Sequence, residues 1–325
     1  MADVAQDRVL LAMLSEADYR DASFLDQRVM TPGRPSEWVD WADLATLSAG
    51  MADEAQFIFH IGHVGSTLLS RLLGELPTVF SVREPLMLRT LAEIHGLLDR
   101  PECPWKREAF DVRLASALGW LSRTFRAEQR ALIKATSFAS DLAVPVRRAG
   151  RRSIHMSVGP DAYMQTILGG DASRQELAAL GGSRLIRLHR RLGEEPWQLR
   201  ELSLGERAAM AWACEMTSLE LADGEDVLWI DFDAFLAAPG SEFAKAAQHL
   251  GHDVEESAAA TIVAGPIMKR YSKAPEHGYS TALRADVLAQ ARVAHLDELR
   301  RGRAWLEIAA RRFPAIFQSM TRHAA

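Results

Sequence analysis

The sequence predicts an α/β fold, a three-layer sandwich around a central parallel sheet with extra helices at both termini. Three observations carry this. "FIFHI", residues 57–61, is an apolar run of strand length that ends at Gly62. The period then changes: Leu68, Leu69, Leu72 and Leu73 form one stripe of a helix that stops at Gly74 and Pro77. Further strand-like runs at 131–134, 153–158 and 227–232 alternate with helical patterns near 110–128, 161–180 and 204–222. Strands separated by helices pair in parallel.

Residues 1–50 hold one plausible helix followed by the loop-like "TPGRPSEWVDW", and read as an N-terminal helical appendage on a core domain spanning 51–325. After the leucine helix, "VFSVREPLMLRTLAEIHGLL" predicts a short strand and a second helix, with Glu84 as its N-cap and Pro85 as its first residue. From about Pro239 onward the pattern is almost all helical, broken by "GPIMKRYSKAPEHGYS". No repeat or linker forces a second core domain.

Composition narrows the function classes. The chain has 325 residues, 48% hydrophobic, enough for a large core. It has no apolar run of membrane-spanning length, and its start carries acids on both sides of a short apolar patch, unlike a secretory leader. A cytoplasmic protein is therefore expected. Cys103 and Cys214 lack metal-ligand spacing and are expected to be reduced thiols. A net charge of −5 argues against a nucleic-acid binder. Local anion sites remain open at Arg147, Arg148, Arg151 and Arg152, and at Lys269, Arg270 and Lys273.

The loop between strand and helix carries the chemistry. A strand, a glycine-bearing turn and a helix bring unpaired backbone N–H groups and the positive end of a helix dipole to one point, which binds anions. Gly62 and Gly65 allow close approach, Val64 lies between them, and Ser66 and Thr67 add hydroxyl donors. The loop is not a Walker A motif, because Gly65 stands where that motif has its lysine. In an open parallel sheet ligands sit at the carboxyl ends of the strands, so the residues after Val82, Lys134 and Val158 open onto the same edge.

These residues resemble the P-loop sulfotransferases that use 3′-phosphoadenosine-5′-phosphosulfate (PAPS) and release 3′,5′-adenosine bisphosphate (PAP). "HVGST", residues 63–67, stands in the place of their phosphosulfate loop. "RSIHMSVGPDAYMQTI" stands in the place of their second cofactor motif, and "VLWIDFDAFLAAPGSEFAKAAQHLG" resembles their later strand, acidic residue and helix. The resemblance runs from Phe57 to Gly251 and more weakly to "MKRYSK". It implies a P-loop fold of the sulfotransferase type and transfer of a sulfuryl group to a hydroxyl or amine of a small molecule. It implies cofactor contacts from Gly62, His63, Val64, Gly65, Ser66, Thr67 and Thr166, and from Lys269, Arg270, Ser272 and Lys273 in a late basic loop. His63 takes the place of the family's loop cation, Glu84 resembles the base of Golgi-type relatives, and Lys134 is a further candidate catalytic residue. The family's 3′-phosphate arginine aligns with Val158, so that charge must come from elsewhere.

Plainer roles compete with each of these. Glu84 is also a natural helix cap, Lys134 a strand-end lysine, and Asp231 and Asp233 are turn-capping acids rather than cation ligands. No metal site is expected, since His60 and His63 lack accompanying ligands at suitable spacing. The rival functions are an ATP-dependent P-loop kinase and a catalytically silent nucleotide or anion binder.

Overall fold

The computed structural model describes residues 2–51, 54–148, 151–270, 278 and 280–323. Their strands form two sheets. The first is antiparallel, with β1 (Ala2–Asp3), β2 (Arg8–Ala12) and β3 (Ser36–Asp40) in that order. "RVLLA" is thus a strand, where the appendage was expected to be helical. Its apolar residues are too few to distinguish the two periods by sequence. The first helix of this region, Glu16–Asp21, is fixed by a capping box in which Ser15 and Asp18 satisfy each other's backbone N–H groups.

The second sheet contains β4 (Gln56–His60), β5 (Val79–Arg83), β6 (Arg130–Lys134), β7 (Ser153–Ser157) and β8 (Val227–Asp231). It is parallel throughout, in the order β5-β6-β4-β7-β8. Every residue of β4, β5 and β7 is buried, as strands covered on both faces require. Helices Ser66–Leu73 and Pro239–His249 pack together on one side of the sheet. Helix Leu204–Glu220 covers the other side, with helices Pro160–Gly169, Asp171–Leu192 and Leu296–Arg312 packed against it. This is the expected three-layer α/β sandwich with helices added at both ends. The chain enters in the middle at β4, goes one way to β5 and β6, then the other way to β7 and β8. Such a reversal opens a crevice at the carboxyl ends of the central strands.

The expected helix at 161–180 is two helices that meet at Gly170, whose φ of −111° and ψ of 126° interrupt the period. The helix after β5 begins one residue later than expected: Pro85 is the N-cap and Leu86 the first residue of Leu86–Leu97. Glu84 has a φ of 51° and does not cap it. Cys103 and Cys214 are both free thiols, and no helix among the described residues is long and apolar enough to cross a membrane.

His155, in β7, is fully buried between the edges of Phe59 and Trp229, with ring centroids 5.8 and 5.1 Å away. Burial pushes its pKa from 6.5 down to about 3. A base held neutral in the core binds its proton only after unfolding. Its contribution is therefore complete above pH 6.5 and is lost as pH falls from there toward about 3. Urea unfolding at pH 7 and pH 5 should show a loss of stability in the parent that is smaller, by about 1–2 kcal/mol, in a His155→Leu variant. Equal losses would contradict this.

Candidate active site

The loop after β4 is shaped by three residues with positive φ: Gly62 at 93°, His63 at 57° and Gly65 at 66°. The turn starts from His60, whose Nδ1 accepts from the backbone N–H of Gly62 at 3.0 Å while its Nε2 lies 2.9 Å from the carbonyl of Ala135. With one nitrogen accepting, the other is the donor, so this imidazole is neutral and structural. Gly65 then caps the Ser66–Leu73 helix without any side-chain hydrogen bond. The first N–H groups of that helix therefore have no intrahelical acceptor and face the crevice. Thr67 is 2% exposed, and its Oγ1 has no hydrogen-bond partner. A buried hydroxyl left without a partner costs stability unless something else satisfies it.

These groups open into a cavity of about 440 Å³. Its polar side comes from His63, Gly65, Ser66 and Thr67, from Thr166 and Ser173 on the helices after β7, and from Arg270 and Arg284. Leu283, Val287 and Leu288, from the helix Thr281–Ala294, form an apolar wall. Arg284 is mostly buried; its guanidinium lies 2.5 Å from Asp233 and 5.0 Å from the centre of the Phe232 ring. Phe232, the first residue after β8, presses on the loop so closely that a Cβ on Gly65 would stand 2.0 Å from its Cε2.

The expected cofactor residues thus fall into three groups. His63, Val64, Gly65, Ser66, Thr67, Thr166 and Arg270 share the cavity. Gly62 lies behind the loop, where a Cβ would meet the Ser137 side chain at 3.4 Å, and exposed Lys269 is not among the lining residues. Ser272 and Lys273 lie outside the described residues. The Thr166 hydroxyl donates to the Ala162 carbonyl at 2.8 Å, so its oxygen is left to accept rather than donate. Val158 is a core position, 1% exposed, with the Trp212 indole donating to its carbonyl at 3.0 Å. Asp231 accepts from the N–H of Ala234 at 2.9 Å as a helix cap.

Glu84 and Lys134 are brought together, but with each other rather than into the cavity. Arg83 and Lys134 are register partners at the ends of β5 and β6, and the Glu84 N–H donates to the Lys134 carbonyl at 2.7 Å. This seats the Glu84 carboxylate on the completely buried Lys134 ammonium as an ion pair. The N-terminal segment lies over them: Lys134 Nζ is 5.7 Å from the Phe24 ring centre, and the Leu25 N–H donates to the Arg83 carbonyl at 2.7 Å.

Behind the loop is a buried ionic network that the sequence did not reveal. Arg187 donates to both oxygens of Glu215, at 3.1 and 3.0 Å, to Asp141 at 2.7 Å and to Ser140 at 2.7 Å. Arg184 donates to Glu215 at 2.9 Å and to Glu176 at 3.2 Å, and Arg191 to Asp141 at 2.8 Å. Burial alone would raise the pKa of Glu215 and Asp141, but the surrounding guanidinium charges outweigh it and hold both carboxyls below their ordinary values. The network reaches the loop through Glu176, whose carboxylate lies 4.0 Å from His63 Nε2.

No family model matches this chain, and no curated protein matches it. The solved structures it is similar to include a sulfotransferase domain from the curacin biosynthetic pathway, at 14% identity over 71% of this chain and 85% of that one, with a TM-score of 0.39. A sulfotransferase domain from the Synechococcus PCC 7002 olefin synthase is 14% identical over 78% and 94% of the two chains, with the same TM-score of 0.39. The mouse sulfotransferase SULT7A1 complexed with PAP is 14% identical over 81% and 92%, with a TM-score of 0.36. Strand order and loop geometry carry the fold.

Proposed function

We infer that the protein transfers a sulfuryl group from PAPS to a hydroxyl or amine of a small molecule and releases PAP. The observation that carries this is the convergence of the 63–67 loop, Arg270 and Arg284 on one cavity. The residues fit such a nucleotide. The helix N-terminus and the partnerless Thr67 hydroxyl suit the phosphosulfate end. Phe232 and the apolar wall suit a purine, and two arginines suit a further phosphate. Arg284 answers the absence of an arginine at Val158, and supplies its charge from a helix far along the chain.

PAPS, when bound, brings an activated sulfuryl group whose transfer needs in-line positioning and donors on the developing charge. The backbone N–H groups of the loop and a protonated His63 supply those donors. Glu84, the base that the resemblance implies, is held in its ion pair with Lys134 and is not among the residues that line the cavity. That same ion pair favours a second reading, a nucleotide-binding protein without transferase activity. The kinase reading is weaker, because the loop has no lysine and Asp231 spends an oxygen on capping a helix.

Titration calorimetry with PAP and AMP tests the nucleotide. A charge-assisted contact to phosphate contributes roughly 1.5–3 kcal/mol, so PAP should bind about ten- to a hundredfold more tightly than AMP. The preference should vanish in an Arg270→Ala, Arg284→Ala double variant. Equal affinities for PAP and AMP in the parent would remove the 3′-phosphate from the account.

A further inference from the structure

We propose that Glu176 is the positioning residue that keeps His63 protonated beside the bound anion, and that the buried Arg184 holds Glu176 in place for it. The proposal rests on the reading of the cavity as a phosphosulfate site, but its central observation does not. A histidine where a permanent cation would serve is charged at neutral pH only if its surroundings favour the imidazolium. Glu176 lies on the Asp171–Leu192 helix one turn beyond Ser173, which lines the cavity, so both share one helix face. Its carboxylate is 4.0 Å from His63 Nε2, while its Oε1 accepts from Arg184 at 3.2 Å. Arg184 is 1% exposed and fixed on its other side by Glu215, which is fully buried. A surface glutamate would pay rotamer entropy to reach His63, and anchoring by a rigid guanidinium removes most of that cost.

Among the described residues, the arginines that line the cavity oppose the protonation of His63. Arg270 and Arg284 line the same cavity and disfavour a second cation there, although Arg284 is paired with Asp233. His60, in the strand beneath, is neutral with both nitrogens engaged. Glu176, at 4.0 Å, brings a carboxylate within ion-pair distance of the imidazole. The same coupling links the loop to Arg187, Glu215 and Asp141, so the packing of the helical layer sets the charge state of the loop.

The test is a histidine titration by NMR on the ligand-free protein, with the His63 signal assigned by its loss in His63→Asn. In Glu176→Gln the His63 pKa should fall by about half to one unit, the scale of a partly exposed pair. Glu176→Asp should fall between the two. The PAP affinity of the parent should decline as pH rises through the His63 pKa, and that decline should move to lower pH by the same amount in Glu176→Gln. A purely structural Glu176 would lower the unfolding midpoint and leave the His63 titration where it was, which overturns the proposal. A shifted titration in a protein that does not bind PAP would uphold the His63–Glu176 coupling and overturn the sulfuryl-transfer reading instead.

Discussion

Replacing Glu215 by alanine lowers the free energy of unfolding by about 3–5 kcal/mol, because it leaves Arg184 and Arg187 charged, buried and without their shared partner. Neither arginine can escape by losing its proton, because a guanidinium keeps its charge even where burial favours the neutral form. Urea unfolding at pH 7 measures the loss. Glu215→Gln keeps the shape and the hydrogen-bond acceptor and should fall between parent and alanine; a loss below about 1 kcal/mol in Glu215→Ala would show that the arginines find water or other acceptors. The network also fixes the sign of the acid response. Asp141 and Glu215 have folded pKa values below their ordinary 3.8 and 4.5, so their contribution is present above those values and is lost as pH falls below them. On acidification the His155 loss should therefore begin first, below 6.5, and the loss from Glu215 and Asp141 should join it below 4.5.

Gly65→Val removes nucleotide binding and also costs stability. A side chain at a φ of 66° is strained, and its Cβ would stand 2.0 Å from the buried ring of Phe232. The ring must leave or the loop must open, and either displaces the N–H groups of residues 65–67. We expect PAP affinity to fall at least about tenfold and unfolding free energy to fall by roughly 1–3 kcal/mol. A Gly65→Ala, Phe232→Ala pair separates the causes. If contact dominates, removing the ring restores part of the stability lost by Gly65→Ala alone; if backbone strain dominates, the two losses add. Unchanged PAP affinity in folded Gly65→Val would take the loop out of the site.

The parallel sheet was legible because its strands are buried on both faces and so appear as apolar runs between helical stripes, as at Phe57–Ile61 and Ala131–Lys134. The antiparallel strand Arg8–Ala12 was not, since five residues, of which Val9 alone is fully buried, carry too little periodicity to be told from a helix. Gly170 was also missed as a break, because a glycine within a helical pattern can be either tolerated or decisive. In the site, the loop from His63 to Thr67 was visible through its glycines and hydroxyls, and Arg270 through its basic neighbours. Arg284, Phe232 and Glu176 were not. Their roles arise from tertiary placement: Arg284 sits within an ordinary helical pattern, Phe232 looks like the last residue of a strand, and Glu176 is one of many helix-surface acids. The pairing of Glu84 with Lys134 was likewise invisible, although both were candidates, because register across β5 and β6 joins residues fifty apart.

The measurement that bears most directly on the central claim is the thermal unfolding midpoint in the presence of PAP, of PAPS, and of ATP with Mg²⁺, each added separately. A ligand that binds only the folded state raises the midpoint, by about 2.7 kcal/mol in stability at a hundred times its Kd. The account predicts that PAP and PAPS raise it, that ATP with Mg²⁺ raises it less at equal concentration, and that the Arg270→Ala, Arg284→Ala variant loses the difference. A rise with ATP and Mg²⁺ that equals or exceeds the rise with PAP would contradict it.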